Sequence, residues 1–159
     1  MRRTPALLFL WLLPATSGAD DYVGVESCKT CHHAEYEQWK STPHARSLER
    51  LSAQERQDRS CLACHTMLPF DDRESRAEVQ CESCHGGGAR YAARFIMRDP
   101  LVARLLGLED IKEETCARCH AEAGPSLSPF DFAKALEAVR HRPADPKAAA
   151  KPPATEATE

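Results

Sequence analysis

The sequence predicts a mostly α-helical protein with little or no β-structure, in which short helices and loops surround an interior that side chains alone do not fill. Its 159 residues suit one domain, and no segment alternates apolar and polar residues as a strand would. Once an N-terminal leader and the cysteines are set aside, roughly a third of the chain is apolar, which is little to offset the conformational entropy of folding. We therefore expect disulfides, a metal or a large apolar cofactor to complete the core.

Residues 1–19 are predicted to be a secretory signal peptide. Arg2 and Arg3 precede an apolar run, and Ala19 ends a stretch of small residues suited to cleavage. A membrane anchor is the alternative, but a spanning helix needs ~20 apolar residues, about twice the length of this run. We expect a periplasmic protein that is cleaved near Ala19.

The remaining chain is predicted to hold one domain, residues 20–142, and a disordered tail rich in proline and alanine, residues 143–159. No later segment is long and apolar enough to span a membrane. With 21 basic and 24 acidic residues the full chain has a net charge of −3, and loss of the leader's two arginines gives 19 − 24 = −5. This acidic balance argues against nucleic acid as a partner and favours proteins with basic docking patches.

The cysteines form four Cys-x-x-Cys pairs, and a histidine follows each pair at once. They are Cys28 and Cys31 before His32, Cys61 and Cys64 before His65, Cys81 and Cys84 before His85, and Cys116 and Cys119 before His120. At this spacing the two thiols can bond to the vinyl groups of one porphyrin, and the histidine can bind its iron as the proximal ligand. We therefore predict four covalently attached haem c groups, stacked as the core of the domain.

Zinc ribbons and disulfides are the two other ways of using such cysteines. Neither requires a histidine after every pair. With 7 histidines in 159 residues, chance would place one at all four positions about 4 times in a million. The histidines therefore favour haem.

Helices are predicted from apolar spacing and from helix start signals. They cover residues 32–40, 44–59, 89–98, 100–106 and 129–141, with a loop at 66–78. Gly86, Gly87 and Gly88 follow the third motif and indicate either close approach of the backbone to a porphyrin face or a flexible turn.

Three histidines remain once each motif has used one, so four irons cannot all have two histidines from this chain. His44 begins a predicted helix away from its own motif, and we predict that it is a distal ligand rather than a surface histidine. His141 ends an amphipathic helix and is also a predicted distal ligand, although a cation would suit that helix terminus too. His33 points about 100° away from His32 on a helix, so it either reaches a neighbouring haem or faces solvent.

Met67, Met97 and Tyr91 have open roles. Either methionine could bind iron through its thioether, which would raise the reduction potential, or pack against a porphyrin. Tyr91 could bind iron or belong to the core.

Several of these stretches resemble the cytochrome c-554 family, small periplasmic tetrahaem electron carriers of nitrification. The matching segments are residues 27–32, 36–45, 81–86 and 128–132 leading to His141. The resemblance covers most of residues 22–142 and implies a multihaem cytochrome c fold built on stacked haem pairs.

The family pattern also implies ligand roles. It assigns the residue at His44 to the fourth-motif haem and the residue at His141 to the third-motif haem, and it leaves the second-motif haem five-coordinate. The family's histidine after the third motif, which binds the first-motif haem, has no counterpart here, and Tyr91 stands near its place. His33, a methionine, a histidine of another subunit or no residue remains for that iron.

Electron transfer between redox partners is the function that these observations favour, since haem carries the redox chemistry and the protein sets its potential. No catalytic side chain is predicted. A reductase that binds nitric oxide, hydroxylamine or nitrite at a five-coordinate haem is the alternative. A self-associating haem polymer, with a histidine donated between subunits, is a third hypothesis.

Overall fold

The computed structural model describes residues 21–67, 77–120 and 130–141. Within these ranges the chain forms eight α-helices and two 3₁₀ helices, and its only β-structure is a pair of isolated bridges from Thr66 to Ala77 and Glu78. The α-helices are α1 (Val25–Lys29), α2 (His33–Lys40), α3 (Arg59–His65), α4 (Cys81–His85), α5 (Arg94–Met97), α6 (Pro100–Leu105), α7 (Glu113–His120) and α8 (Phe132–Val139), and the 3₁₀ helices are Pro43–Arg50 and Glu55–Gln57. The predicted mostly α class is confirmed.

The helix predicted at 44–59 is wrong in type and extent. The chain forms the 3₁₀ helix Pro43–Arg50, which is kinked at Arg46 (φ −138°, ψ 32°). The reason is tertiary: the Leu48 amide donates to the Glu78 carboxylate, and the His44 carbonyl accepts from the Val79 amide. These two groups would otherwise bond to each other in an α-helix.

Two further predicted helices are shorter in the structure. The helix expected at 89–98 is confined to α5, because the Gly88 carbonyl accepts from the amides of both Tyr91 and Ala92 and forms a turn instead. The helix expected at 129–141 begins at Phe132, where the Asp131 side chain accepts from the Lys134 amide at 3.1 Å. The first residue of that predicted helix, Pro129, lies outside the described residues, as do the leader, most of the 66–78 loop and the tail.

Side chains form only a small core in the described part of the chain. The buried apolar residues there are Met67, Tyr91 and Ala103, whereas Phe95 and Leu105 remain more than three-quarters exposed, at 76% and 77%. The small core of the described residues therefore agrees with the prediction from composition that side chains alone do not fill the interior. No helix among the described residues is long and apolar enough to cross a membrane.

The glycines after the third motif allow other backbone segments to approach. A Cβ at Gly86, whose φ is +76°, would lie 2.6 Å from the Gly107 carbonyl oxygen, and one at Gly87 would lie 2.6 Å from the Asp21 carbonyl oxygen. The close approach is therefore to protein backbone, which brings the start of the described chain against the end of α4.

Candidate haem-binding site

Each Cys-x-x-Cys-His motif lies on or beside a short helix. The second, third and fourth motifs end α3, α4 and α7, and the first begins in α1 and continues to His32, the N-cap of α2. Residues three apart on a helix share a face, so both thiols of a motif point the same way. All eight cysteines lie in the described residues, and none of them is paired in a disulfide there.

Two motif histidines each face a histidine from elsewhere in the chain. The ring centres of His44 and His120 are 6.2 Å apart, and those of His85 and His141 are 5.8 Å apart. Two imidazoles on opposite sides of one metal, with metal–nitrogen distances of ~2.0–2.1 Å, have ring centres about 6 Å apart. Either pair could therefore hold one metal ion between its two imidazoles.

Partial burial favours the neutral form of two of these imidazoles, those of His44 and His85. Burial lowers the pKa of His44, and the neighbouring His120 lowers it further. Burial also lowers the pKa of His85, against a hydrogen bond with the Glu109 backbone that raises it. A neutral imidazole has a free nitrogen lone pair for iron. Phe130 stacks on His120 with ring centres 4.8 Å apart and planes 19° apart, which orients that ring.

The second-motif histidine is oriented by a hydrogen bond from one of its ring nitrogens. His65 Nδ1 lies 2.7 Å from the Ser47 carbonyl oxygen, so Nδ1 donates to it and Nε2 remains for a metal. The Ser47 hydroxyl lies 2.8 Å from the His65 carbonyl oxygen and 2.8 Å from the Glu78 carboxylate. The first-motif histidine has a different neighbour, since His32 Nδ1 lies 3.9 Å from the Glu35 carboxylate.

The cysteines of different motifs lie close together. Cys28 is hydrogen-bonded to Cys81, and this bond, together with burial, raises the pKa of Cys28. Burial, together with the charge of Cys64 and a hydrogen bond to it, raises the pKa of Cys119 to about 12. The first motif therefore adjoins the third, and the second adjoins the fourth.

The third and fourth motifs connect these two halves. Burial and, after it, the charge of Cys116 raise the pKa of Cys84 to about 11. The Glu109 amide donates to the His85 carbonyl at 2.9 Å, and the Glu109 carboxylate pairs with Arg118 of α7 at 2.9 Å. The four Cys-x-x-Cys-His motifs therefore follow one another in the order first, third, fourth and second.

A buried carboxylate joins the first and third motifs. Glu82, between the two cysteines of the third motif, is 3% exposed. It accepts from the amides of Val23 at 2.9 Å, Gly24 at 2.7 Å and Gly88 at 2.7 Å. Since Gly24 is the N-cap of α1, this carboxylate fixes the start of the first-motif helix against α4.

The residues with open roles have definite places. His33 faces Glu37 at 4.0 Å with its side chain 72% exposed, so the structure does not bring it against another histidine. The Tyr91 hydroxyl lies 3.1 Å from the His85 carbonyl and 2.8 Å from that of Gly86, which places Tyr91 in the core. Met67 is completely buried, and Met97 ends α5 half-buried.

Sequence reasoning missed Ser47, Glu78, Glu82 and Phe130. Each acts through a partner in another segment of the chain, so no local pattern indicates it.

Comparisons with known proteins agree with these observations. The family model described as cytochrome c554 and c-prime matches residues 27–86. Cytochrome c-554 of Nitrosomonas europaea is 25% identical over 151 residues, in an alignment that covers 72% of this chain and 63% of that protein. The chain thus spans less than two thirds of the length of this relative. The fold is similar to the solved structure of reduced cytochrome c554 from Nitrosomonas europaea, with a TM-score of 0.53 and 21% identity over 76% of this chain and 78% of that one.

Proposed function

We propose that the chain is a member of the cytochrome c-554 family and a periplasmic tetrahaem electron carrier, which the match over residues 27–86 and the similarity to cytochrome c-554 support. Membership implies covalently bound haem c and an electron-carrying role with redox partner proteins. The number of haems, the ligand of each iron and the compartment are the parts we add. When bound, haem supplies one-electron redox chemistry, and the protein holds and tunes it.

The two histidine pairs carry this proposal. In each, a motif histidine faces a histidine from elsewhere at 6.2 Å or 5.8 Å, a spacing that suits iron between them. We assign His120 and His44 to the fourth-motif haem and His85 and His141 to the third-motif haem. Two imidazole ligands keep an iron six-coordinate, which favours electron transfer over substrate binding.

The remaining motifs are assigned by their own residues. His32 and His65 are the proximal ligands of the first- and second-motif haems, and all eight cysteines serve as attachment points. With the other histidines used in pairs and His33 directed to Glu37, we propose that the second-motif iron has an open sixth position. The ligand of the first-motif iron is left unassigned.

The order of the attachment points supports a chain of haems. Cys28 adjoins Cys81, Cys84 adjoins Cys116, and Cys119 adjoins Cys64. We propose that electrons pass through the protein in the order first, third, fourth and second haem, or in reverse. The two ends of this path are then the places where partner proteins give and take electrons.

The reductase hypothesis is not favoured by the comparisons. An open second-motif iron would let nitric oxide or a similar ligand bind. Binding without saturable turnover is what an electron carrier predicts.

Mass spectrometry of the exported protein tests the proposal. The gene is expressed with its leader in a host that attaches haem c, and the periplasmic protein is weighed intact. We expect a mass that starts near residue 20 and includes four haem groups. The double variant Cys116→Ser/Cys119→Ser should lose one haem. Fewer than four haems in the wild-type protein, or an unchanged haem count in the variant, would contradict the proposal.

A further inference from the structure

Ser47 and His65 form a two-point contact. The His65 ring donates from Nδ1 to the Ser47 carbonyl at 2.7 Å, and the Ser47 hydroxyl lies 2.8 Å from the His65 carbonyl. The hydroxyl also accepts from the Val79 amide at 3.1 Å. Ser47 is itself buried, at 7% exposure. These bonds hold the 3₁₀ helix Pro43–Arg50 against the end of α3, behind the second motif.

Glu78 also contacts Ser47, and the backbone of Glu78 is strained. Its φ of +69° is the only positive φ of a non-glycine residue in the described part of the chain. Its carboxylate accepts from the Leu48 amide at 2.7 Å and lies 2.8 Å from the Ser47 hydroxyl. A residue other than glycine rarely adopts this conformation, which persists only where surrounding contacts enforce it. Here those contacts converge on Ser47.

We propose that Glu78 is a positioning residue for His65 and acts through Ser47. Its carboxylate fixes the backbone of Ser47 and Leu48, so the Ser47 carbonyl stays aligned with His65 Nδ1. That bond holds the ring in one tautomer, with Nε2 directed away from Ser47 for the second-motif iron. This inference deepens the proposed function and rests on it, since it concerns how the chain tunes that haem.

The expected consequence is a lower reduction potential at the second motif. A proximal imidazole that donates a firm hydrogen bond from its other nitrogen is a more basic ligand, and a more basic ligand stabilises the oxidised iron. Loosening the contact should therefore raise the potential of that haem alone.

Substitutions can separate the effect of the Glu78 charge from the effect of its hydrogen bonds. Glu78→Gly removes the carboxylate but suits the positive φ. Glu78→Gln removes the charge and keeps an oxygen that can accept both hydrogen bonds. Ser47→Ala keeps the charge and removes the hydroxyl. Glu49→Gln, on the exposed side of the same 3₁₀ helix, is the matched control.

The test is a potentiometric titration of the haem-loaded proteins, followed by absorbance. His65→Met identifies the midpoint that belongs to the second-motif haem. We expect Glu78→Gly and Ser47→Ala to raise that midpoint by about tenfold in the ratio of reduced to oxidised haem, ~59 mV for one electron. Glu78→Gln and Glu49→Gln should change the ratio by less than about threefold, ~28 mV on the same scale.

The outcomes are distinct. An unchanged second-motif midpoint in Ser47→Ala would overturn the inference, even if Glu78→Gly failed to fold. Equal shifts in Glu78→Gln and Glu78→Gly, with none in Ser47→Ala, would reduce the role of Glu78 to its charge and also overturn it. Wild-type protein without haem would instead contradict the proposed function.

Discussion

Among single residues, Glu82 contributes most to holding the segments of the site together. It is the carboxylate between the third-motif cysteines, and three backbone amides from two separate segments donate to it. A buried acceptor that satisfies several amides leaves all of them unpaired when it is removed. Glu82 therefore fixes the first Cys-x-x-Cys-His motif relative to the third.

Replacing Glu82 by alanine should destabilise the protein by about 3 kcal/mol, because the amides of Val23, Gly24 and Gly88 lose a buried charged acceptor. Urea unfolding of the haem-loaded protein, followed by circular dichroism, measures this. Glu26→Ala is the control, since Glu26 is 72% exposed and pairs only with Lys29. A loss of less than about 1 kcal/mol in Glu82→Ala would contradict the assigned role.

Replacing His44 by alanine should convert one low-spin haem to high spin, because the fourth-motif iron would lose its second imidazole. Electron paramagnetic resonance of the oxidised protein measures the change. His33→Ala is the matched control, since the His33 side chain is exposed beside Glu37. If His44→Ala left the low-spin signal at full intensity, the assignment of His44 would be wrong.

For single residues, the sequence predicts the side chains that would bind haem better than it predicts the residues that hold those side chains in place. The Cys-x-x-Cys-His spacing is local, so the motif residues can be read directly from the chain. His44 and His141 could be proposed because few histidines remain for the irons. Glu82, Ser47 and Glu78 could not, because each has partners in other segments, 18 to 59 positions away.

Among the elements, the 3₁₀ helix Pro43–Arg50 shows where local pattern is overridden. Its sequence is compatible with an α-helix, yet Leu48 and His44 bond to residues 78 and 79 instead of to each other. The same helix places His44 against His120 and Ser47 against His65. Tertiary hydrogen bonds thus determine the helix type, and the helix serves the second and fourth motifs together.

Replacing Gly86 by alanine should cost about 1–3 kcal/mol more than replacing Gly107, because both substitutions strain a positive φ but only the first adds a clash. A Cβ at Gly86 would lie 2.6 Å from a carbonyl oxygen, whereas one at Gly107 meets nothing within 4 Å. The difference in the free energy of unfolding, measured in urea, isolates the close approach. Equal losses in the two variants would contradict it.

For the whole molecule, the thin core and the acidic charge have one explanation. Haem groups would supply the apolar interior that the side chains lack, and their propionates would add negative charge. From −5 for the chain after residue 19, eight propionates give roughly −13 with reduced iron. Composition was sufficient to predict that something large fills the interior, whereas the pairing of the motifs depends on the fold.

Electron exchange with a basic partner should slow as salt is added, because the acidic surface steers the encounter. We expect a fall of about tenfold in the bimolecular rate between ~0.01 M and ~0.15 M ionic strength. Stopped-flow oxidation by a small basic cytochrome measures it, with an acidic one as the control. A rate with the basic partner that does not change with ionic strength, or that rises with it, would contradict an acidic docking surface.

The histidine pairs His44–His120 and His85–His141 are the proposed ligands of two irons. The most direct test is the electron paramagnetic resonance spectrum of the oxidised protein, with spins counted against total haem iron. We predict four haems, at least two of them low-spin from these pairs and at least one high-spin from the open second motif. Fewer than two low-spin haems, or no haem signal, would contradict the pairs, and four low-spin haems would contradict the open iron.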